Sequence, residues 1–381
     1  MKLKFLSLIK ASLVAVIAGG LFVLAGCSDD DPATPKVPDP TETILQIVNG
    51  DPELSELAGY LEEFPDLSGL LGAAGTNTLF APNNAAFESL YATPGFPEDP
   101  SDISLNLIKG VIAYHIVASK MLKDDLTPTG SGAGIATLYD NTDPCTGAKT
   151  NQVIKVNDNG TLLTGSTNNS IEILEADVLA TNGVVHITKT VLIPPSVGKS
   201  LTPILGKLAA TVLLGADFTT LAKVITIADC PITDVNMKIT SILADPTGNT
   251  YTAFLPPNDV FSGTAALAGK TVDQLIAAYT PEQWRSILLN HIVAGTKTKA
   301  DLTNGASFST LLNPGVSNLT FADGTPGDPT ADPTKSPVGK YVSSSGGATG
   351  LGGSANAPIY VADLVASNGV AHVVGQILFP N

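Results

Sequence analysis

Thr78-Leu79-Phe80-Ala81-Pro82-Asn83-Asn84-Ala85-Ala86-Phe87 comes back as Thr252-Ala253-Phe254-Leu255-Pro256-Pro257-Asn258-Asp259-Val260-Phe261, and that recurrence decides the fold. Phe80 and Phe254, Pro82 and Pro256, Asn84 and Asn258, and Phe87 and Phe261 all stand at one and the same offset. Self-similarity at a fixed offset marks two copies of one structural unit. The block reads as a short strand over 78–81 that Pro82 stops. Asn84 then serves as N-cap of a helix that turns Phe87 and Leu90 inward.

Outward from this block the repetition continues. Tyr114-His115-Ile116-Val117 returns as Asn290-His291-Ile292-Val293, and Asp125-Leu126 as Asp301-Leu302, both at an offset longer by two. The stretch from Asp177 to Asn182-Gly183-Val184-Val185-His186 returns from Asp363 to Asn368-Gly369-Val370-Ala371-His372, at an offset longer by a further ten. The ten-residue step places an insertion in the second copy, within the Gly-, Ser-, Pro- and Asp-rich stretch 325–353. Leu54, Leu57 and Leu61 recur at helical spacing, as do Ile204, Leu208 and Val212 in the second copy. Ile108, Val111 and Ile112 form a helix face leading into a strand over 114–117; the counterpart is Trp284, Ile287 and Leu288 before His291. Asn182-Gly183 and Asn368-Gly369 favour a tight turn with positive φ between strands. Residues 184–193 and 370–379 read as closing strands, ended by Pro194-Pro195 and by Pro380. Helices early and strands late in each copy give an α+β fold.

These blocks resemble the motifs of the fasciclin domain family, in tandem over 41–196 and 200–381. Thr78, Phe80, Pro82, Asn84 and Phe87 match its first motif, Tyr114-His115 its Tyr-His pair, and Asn182, Gly183 and His186 its closing motif. In the second copy Phe254, Pro256, Asn258, Phe261, His291, Asn368, Gly369 and His372 match. That copy departs from the pattern at Leu255 and Asn290, and both lack the aspartate often found three residues after the last histidine, having Lys189 and Gly375. The resemblance implies two β-wedges of short strands with helices packed on them. It also implies a role in adhesion or extracellular interaction, with the motif residues serving structure or contact.

The N-terminus carries a different signal. Lys2, Lys4 and Lys10 precede sixteen uncharged residues, 11–26, too few for a comfortable membrane span, so 1–26 reads as a secretory signal peptide. The run ends Leu24-Ala25-Gly26-Cys27, which resembles a bacterial lipobox, in which the cysteine is acylated and becomes the first residue of the mature protein. Ser28, Asp29, Asp30 and Asp31 resemble the export signal that sends lipoproteins of Bacteroidetes-type bacteria to the outer face of the outer membrane. Residues 27–40, acidic and proline-rich, read as an extended tether at about 3.1 Å per residue.

Composition narrows the function. Formal charge is −15, and loss of the three signal lysines takes it to −18. That argues against nucleic acid and against electrostatic attraction to anionic lipid. His115, His186, His291 and His372 are the only histidines. Two per domain fall short of the three or four ligands a metal wants, so buried imidazoles bonded to backbone are the plainer reading. Asp323, Asp328 and Asp332 sit in the acidic loop without EF-hand spacing. No nucleophile elbow, zinc-protease motif or phosphate loop is present, so the expectation is a non-enzyme without cofactor or metal. Cys145 and Cys230 fall one in each half and are either buried free thiols, the plainer reading, or a bridge between the halves. Stretches 129–134 and 343–354 are solvated connections or surfaces for partner contact. The whole reads as a lipid-anchored, surface-exposed adhesion protein with a protein or polysaccharide partner. The alternative is a glycan-capture or envelope accessory of an uptake system.

Overall fold

Each half opens with helices, places one strand among them and ends in strands, and both halves build the same frame. The first half runs α1 (Ile44–Gly50), α2 (Ser55–Glu63), α3 (Pro65–Gly72), β1 (Asn77–Pro82), α4 (Asn84–Tyr91), α5 (Leu105–Tyr114), β2 (Ile116–Val117), β3 (Ile135–Thr142), β4 (Lys149–Val156), β5 (Leu162–Thr164), β6 (Asn169–Ile171), β7 (Ile173–Ala180) and β8 (Gly183–Thr188). The second runs α6 (Pro195–Ile204), α7 (Leu208–Leu214), α8 (Thr219–Asp229), α9 (Ile239–Leu243), β9 (Tyr251–Leu255), α10 (Asn258–Leu267), α11 (Val272–Ile276), α12 (Pro281–Asn290), β10 (Ile292–Ala294), β11 (Ser307–Ser309), β12 (Asn318–Asp323), β13 (Lys340–Ser344), β14 (Ala357–Ala366) and β15 (Gly369–Val374). This computed structural model describes residues 39–380 apart from 98, 128–133, 144, 158–161, 165–168, 313, 315–316, 324–337 and 345–355. Cys27, Ser28, Asp29, Asp30 and Asp31, nearly all of the tether, and most of the expected loops at 129–134, 325–353 and 343–354 lie outside the described residues, Asp328 and Asp332 among them.

In the first half the core sheet has the order β2-β1-β8-β7, with β1 and β8 parallel and Phe80 beside His186. All six residues of β1 are buried because the strand is covered on both faces. Leu79 and Ala81 face a helical layer with Ile44, Leu57, Leu61 and Ile112. Phe80 faces the second sheet, β3-β4-β5-β6, in a cluster with Tyr114, Ile154 and Leu192. This is the period-two alternation of a strand sandwiched between two layers. The second half repeats it with Phe254 beside His372, but its two sheets merge into one seven-stranded order, β10-β9-β15-β14-β13-β12-β11. There the ten-residue β14 pairs with β13 at Ala357 and Pro358 and with β15 from Ile359 onward.

Four local expectations need correction. Asn83, not Asn84, caps α4: its side chain accepts from Ala86 N, because the residue before the first turn alone has the extended backbone a cap needs. Tyr114 ends a helix and His115 caps it, so only 116–117 is strand. Ile204 belongs to α6 while Leu208 and Val212 belong to α7, so they do not share one helix. The true counterpart of Leu208 is Ile44, since Asn368 and Asn182 accept from these two backbone amides. Ten extra residues therefore also precede β9, around the end of α8 and 230–238. Finally, the tight turns fall on 181–182 and 367–368, and the glycines open the next strand. Gly183 has φ of 153° and Gly369 of 141°, and a Cβ there would lie 1.8 Å from the carbonyl oxygen of Asn77 or Tyr251.

The halves meet through a backbone bridge between Ile103 and Gly215, Ser104 N donating to Leu214 O at 2.7 Å, and Gly206 N donating to Gly95 O at 3.2 Å. Ser196 N donates to Gln152 Oε1 at 3.1 Å. The plainer reading of the cysteines as free thiols fails: Cys145 and Cys230 are bonded, with sulfurs 2.06 Å and Cα atoms 5.3 Å apart. Asp143 Oδ1 accepts from the amides of Cys145 and Thr146, both at 2.8 Å, and shapes the β3–β4 turn that the disulfide joins to the end of α8. The pairing brings together the two halves across 85 residues of sequence.

Candidate interaction surface

The repeated motif side chains turn inward. His115 donates from Nδ1 to Val111 O at 2.7 Å and accepts from Leu192 N on Nε2 at 2.9 Å. His291 does the same with Ile287 O at 2.8 Å and Leu378 N at 2.9 Å. The backbone partners fix the neutral tautomer, since a carbonyl must receive a proton and an amide must find a lone pair. Burial pushes both imidazoles down to about 4. His186 and His372 use the opposite tautomer. They donate from Nε2 to Met121 O and Lys297 O, each at 2.8 Å, and accept from Asp177 N at 3.2 Å and Asp363 N at 3.3 Å. Burial lowers their pKa as well. Both nitrogens of every histidine are engaged with backbone, so none has a lone pair left for a metal.

The other motif residues join neighbouring elements. Asn182 donates from Nδ2 to Leu71 O at 2.8 Å and Ala73 O at 2.7 Å; Asn368 donates to Leu243 O at 2.8 Å. Asn84 accepts from Glu56 N at 3.0 Å and Asn258 from Thr220 N at 2.9 Å, each tying the start of one helix to the start of another. Thr78 bridges Ser119 O and Met121 N. Tyr114 OH donates to Val153 O at 2.8 Å, and Asn290, at the matching position, donates to Ser344 Oγ and Leu378 O at 3.0 Å. Phe80 and Phe254 stack on His186 and His372, with centroids 5.4 and 5.3 Å apart. Phe87, Phe261, Pro82 and Pro256 are buried. Tyr114 and His115 are fully buried, so in the folded protein neither touches a partner. Sequence reasoning missed Thr252, which repeats the Thr78 bridge, and Asp177 and Asp363. These two aspartates take φ near +60° at strand bulges and accept from Lys123 N and Lys299 N. Their place at the head of each Asp-to-His block was the available signal.

Among the described residues, one exposed concave surface lies at the junction of the halves. A cleft of about 820 Å³ is lined by Phe96 and Asp102 of the first half and by Lys207, Asp217, Val361 and Val365 of the second. A volume in this range at a domain boundary is where ligand sites concentrate. Val361 and Val365 are 44% and 85% exposed on β14. Their outward alternation with Asp363 was readable in the sequence, but their position beside the first half was not.

The Fasciclin domain family matches twice, over 52–194 and 216–380. Transforming growth factor-beta-induced protein ig-h3 of Sus scrofa is 25% identical over 84% of this chain, which spans 37% of that protein. Stabilin-2 of Rattus norvegicus is 25% identical over 63% of this chain and 15% of its own length. The chain thus spans well under half of these relatives. Protein sll1483 of Synechocystis is 29% identical over 41% of this chain and 76% of its own length. A solved FAS1 domain pair from the insect cell adhesion molecule fasciclin I aligns over 84% of this chain and 96% of that one, at 16% identity and a TM-score of 0.32. Fasciclin domains are linked to cell adhesion and interaction, and nothing in these comparisons points to catalysis. With its motifs matched twice in order and its buried frame built twice, the chain belongs to the fasciclin-domain family as a tandem pair.

Proposed function

We propose that this protein is an adhesion or interaction protein that works by displaying a two-domain surface. One observation carries the reading: every motif side chain with chemical potential is spent on holding the frame, and what faces solvent is a cleft built jointly by both domains. The N-terminal pattern supports a lipid on Cys27, and Ser28–Asp31 supports export to the outer face of the outer membrane. The disulfide supports an oxidising compartment, where such bonds persist. The partner is a cell-surface or matrix protein or polysaccharide. Deletion of the gene should weaken attachment to surfaces while growth on polysaccharides stays normal; unchanged attachment sinks the proposal. Cys27→Ala protein should leave the membrane fraction and take up no labelled fatty acid. Protease added to intact cells should cut the wild type, and an uncut protein moves the anchor to the periplasmic side.

A second reading, capture of a glycan for a neighbouring uptake system, is favoured by the cleft itself. Its carboxylates Asp102 and Asp217, together with Phe96, suit the hydroxyls and apolar faces of a neutral sugar. Binding on a glycan array, with attachment intact in the deletion strain, would select this reading over adhesion.

A further inference from the structure

Two covalent routes join the domains. One is the chain itself, leaving β8 at Thr188 and passing through 189–194, α6 and α7. The other is the Cys145–Cys230 bond. The first route lies wholly inside the ring that the second closes. Everything between the two sulfurs belongs to that ring: β4 to β8, the connection, α6, α7 and all of α8. Among the described residues the non-covalent junction includes the Ile103–Gly215 bridge, the hydrogen bonds of Ser104, Gly206 and Ser196, and the packing of Val197 and Leu201 of α6 beside Ile103 and Leu107.

We infer that Cys145–Cys230 is a redox-breakable strut that carries tension between the two domains and keeps the segment between the cysteines from being drawn out. The inference rests on the adhesion reading, in which a tethered N-terminus and a held partner pull on the molecule from opposite ends. With the bond intact, tension leaves the first domain at the 143–148 turn, held by Asp143, and enters the second at the end of α8. The connection between domains is slack. With the bond open, the same tension falls on the C-terminal end of β8, a central strand of the first core sheet, and on the junction contacts. The shielded segment is then free to extend by about 290 Å, at ~3.4 Å per residue.

The position of the bond suits opening. Cys145 is exposed on a turn outside both sheets, and Cys230 is half-exposed at a helix end. A dithiol reductant supplies the chemistry. One of its thiolates attacks Cys145 Sγ, the S–S bond breaks, and Cys230 leaves as a thiolate that takes up a proton. The second thiolate of the reductant then attacks the mixed disulfide and releases Cys145. Two electrons pass to the protein, and the reductant closes to its own disulfide.

Single molecules held by handles fused before residue 40 and after residue 381 test the inference. Oxidised protein should unfold to a contour length short of the full chain by the extension of that shielded segment. Dithiothreitol added under load should release the missing length in one further step. Equal contour lengths with and without reductant would overturn it. The Cys145→Ser/Cys230→Ser double variant should reach full length without reductant; if it does not fold, reduced wild type gives the same reading. On cells under shear, reductant should loosen attachment of the wild type and leave the double variant indifferent. Attachment by the wild type that ignores reductant under shear overturns the strut's role. A deletion strain that attaches normally overturns the adhesion reading while leaving the pulling result intact.

Discussion

The two domains share a frame and differ in what closes it. Both clamp a bulge with one histidine, hold a helix end with another, pin the first helix with an asparagine and need a glycine where two strands nearly touch. The fillers diverge. In the second domain Trp284 is fully buried, donates to Ile276 O at 2.9 Å and packs edge-on against Tyr279 with centroids 5.0 Å apart. Tyr279 in turn stacks on Phe379. The matching position in the first domain is Ile108, only partly buried, on an apolar face that α6 helps to cover with Val197 and Leu201. The second domain closes its helical face with Trp284, Tyr279 and Phe379; the first uses Tyr60, Phe87, Tyr91 and Phe96 and also borrows α6 from the second half. The hydrogen-bonded frame specifies the fold, and the packing around it is free to vary as long as the volume is filled.

Substitutions in matched pairs put this contrast at risk. The largest effect should come from Gly183→Ala and Gly369→Ala, because the added carbon meets a carbonyl oxygen that has nowhere to go. Each should cost about 4 kcal/mol or more in denaturant titrations, and equally in the two domains. A large inequality would break the claim of a common frame. Trp284→Ala should cost about 4 kcal/mol, by lost burial and a cavity, whereas Ile108→Ala at the matched site should cost about 1. Equal losses would erase the distinction between the two ways of closing the face.

Acid should treat the domains alike. Unfolded histidine titrates near 6.5, whereas His115 and His291 titrate near 4 in the fold. Between those values the unfolded chain binds more protons. Stability is therefore complete above about pH 6.5 and declines as pH falls toward 4, by on the order of 2 kcal/mol per residue at pH 5. His115→Gln and His291→Gln should each flatten the pH dependence of their own domain, followed by calorimetry. The smallest expected effect is Leu201→Ala, about 1 kcal/mol, felt by the first domain through its borrowed helix. No change there would mean that α6 rests on that face without stabilising it.

Much of this was written in the sequence. The repeated Phe, Pro, Asn and His positions marked out two α+β units, and the buried backbone-bonded histidines followed from their isolation. What escaped depended on contacts distant in sequence. A cysteine pair separated by 85 residues carries no pairing information until the β3–β4 turn is folded against α8. The match of Leu208 with Ile44 was hidden by ten residues inserted before β9. Asn83 and Asn84 are adjacent caps for different helices, and only backbone geometry tells which serves which. The junction cleft needed both domains in place before Val361 and Val365 acquired neighbours.

Trp284 has one more consequence, an optical one. It is the only tryptophan in the chain, and it lies in the core of the second domain. Light absorbed by indole alone therefore sees that domain and is blind to the other, whose emission comes only from tyrosines such as Tyr60, Tyr91 and Tyr114. The protein carries its own two-colour readout: indole emission dates the opening of the second domain, tyrosine emission includes the first, and the lag between them measures how far the two unfold as one.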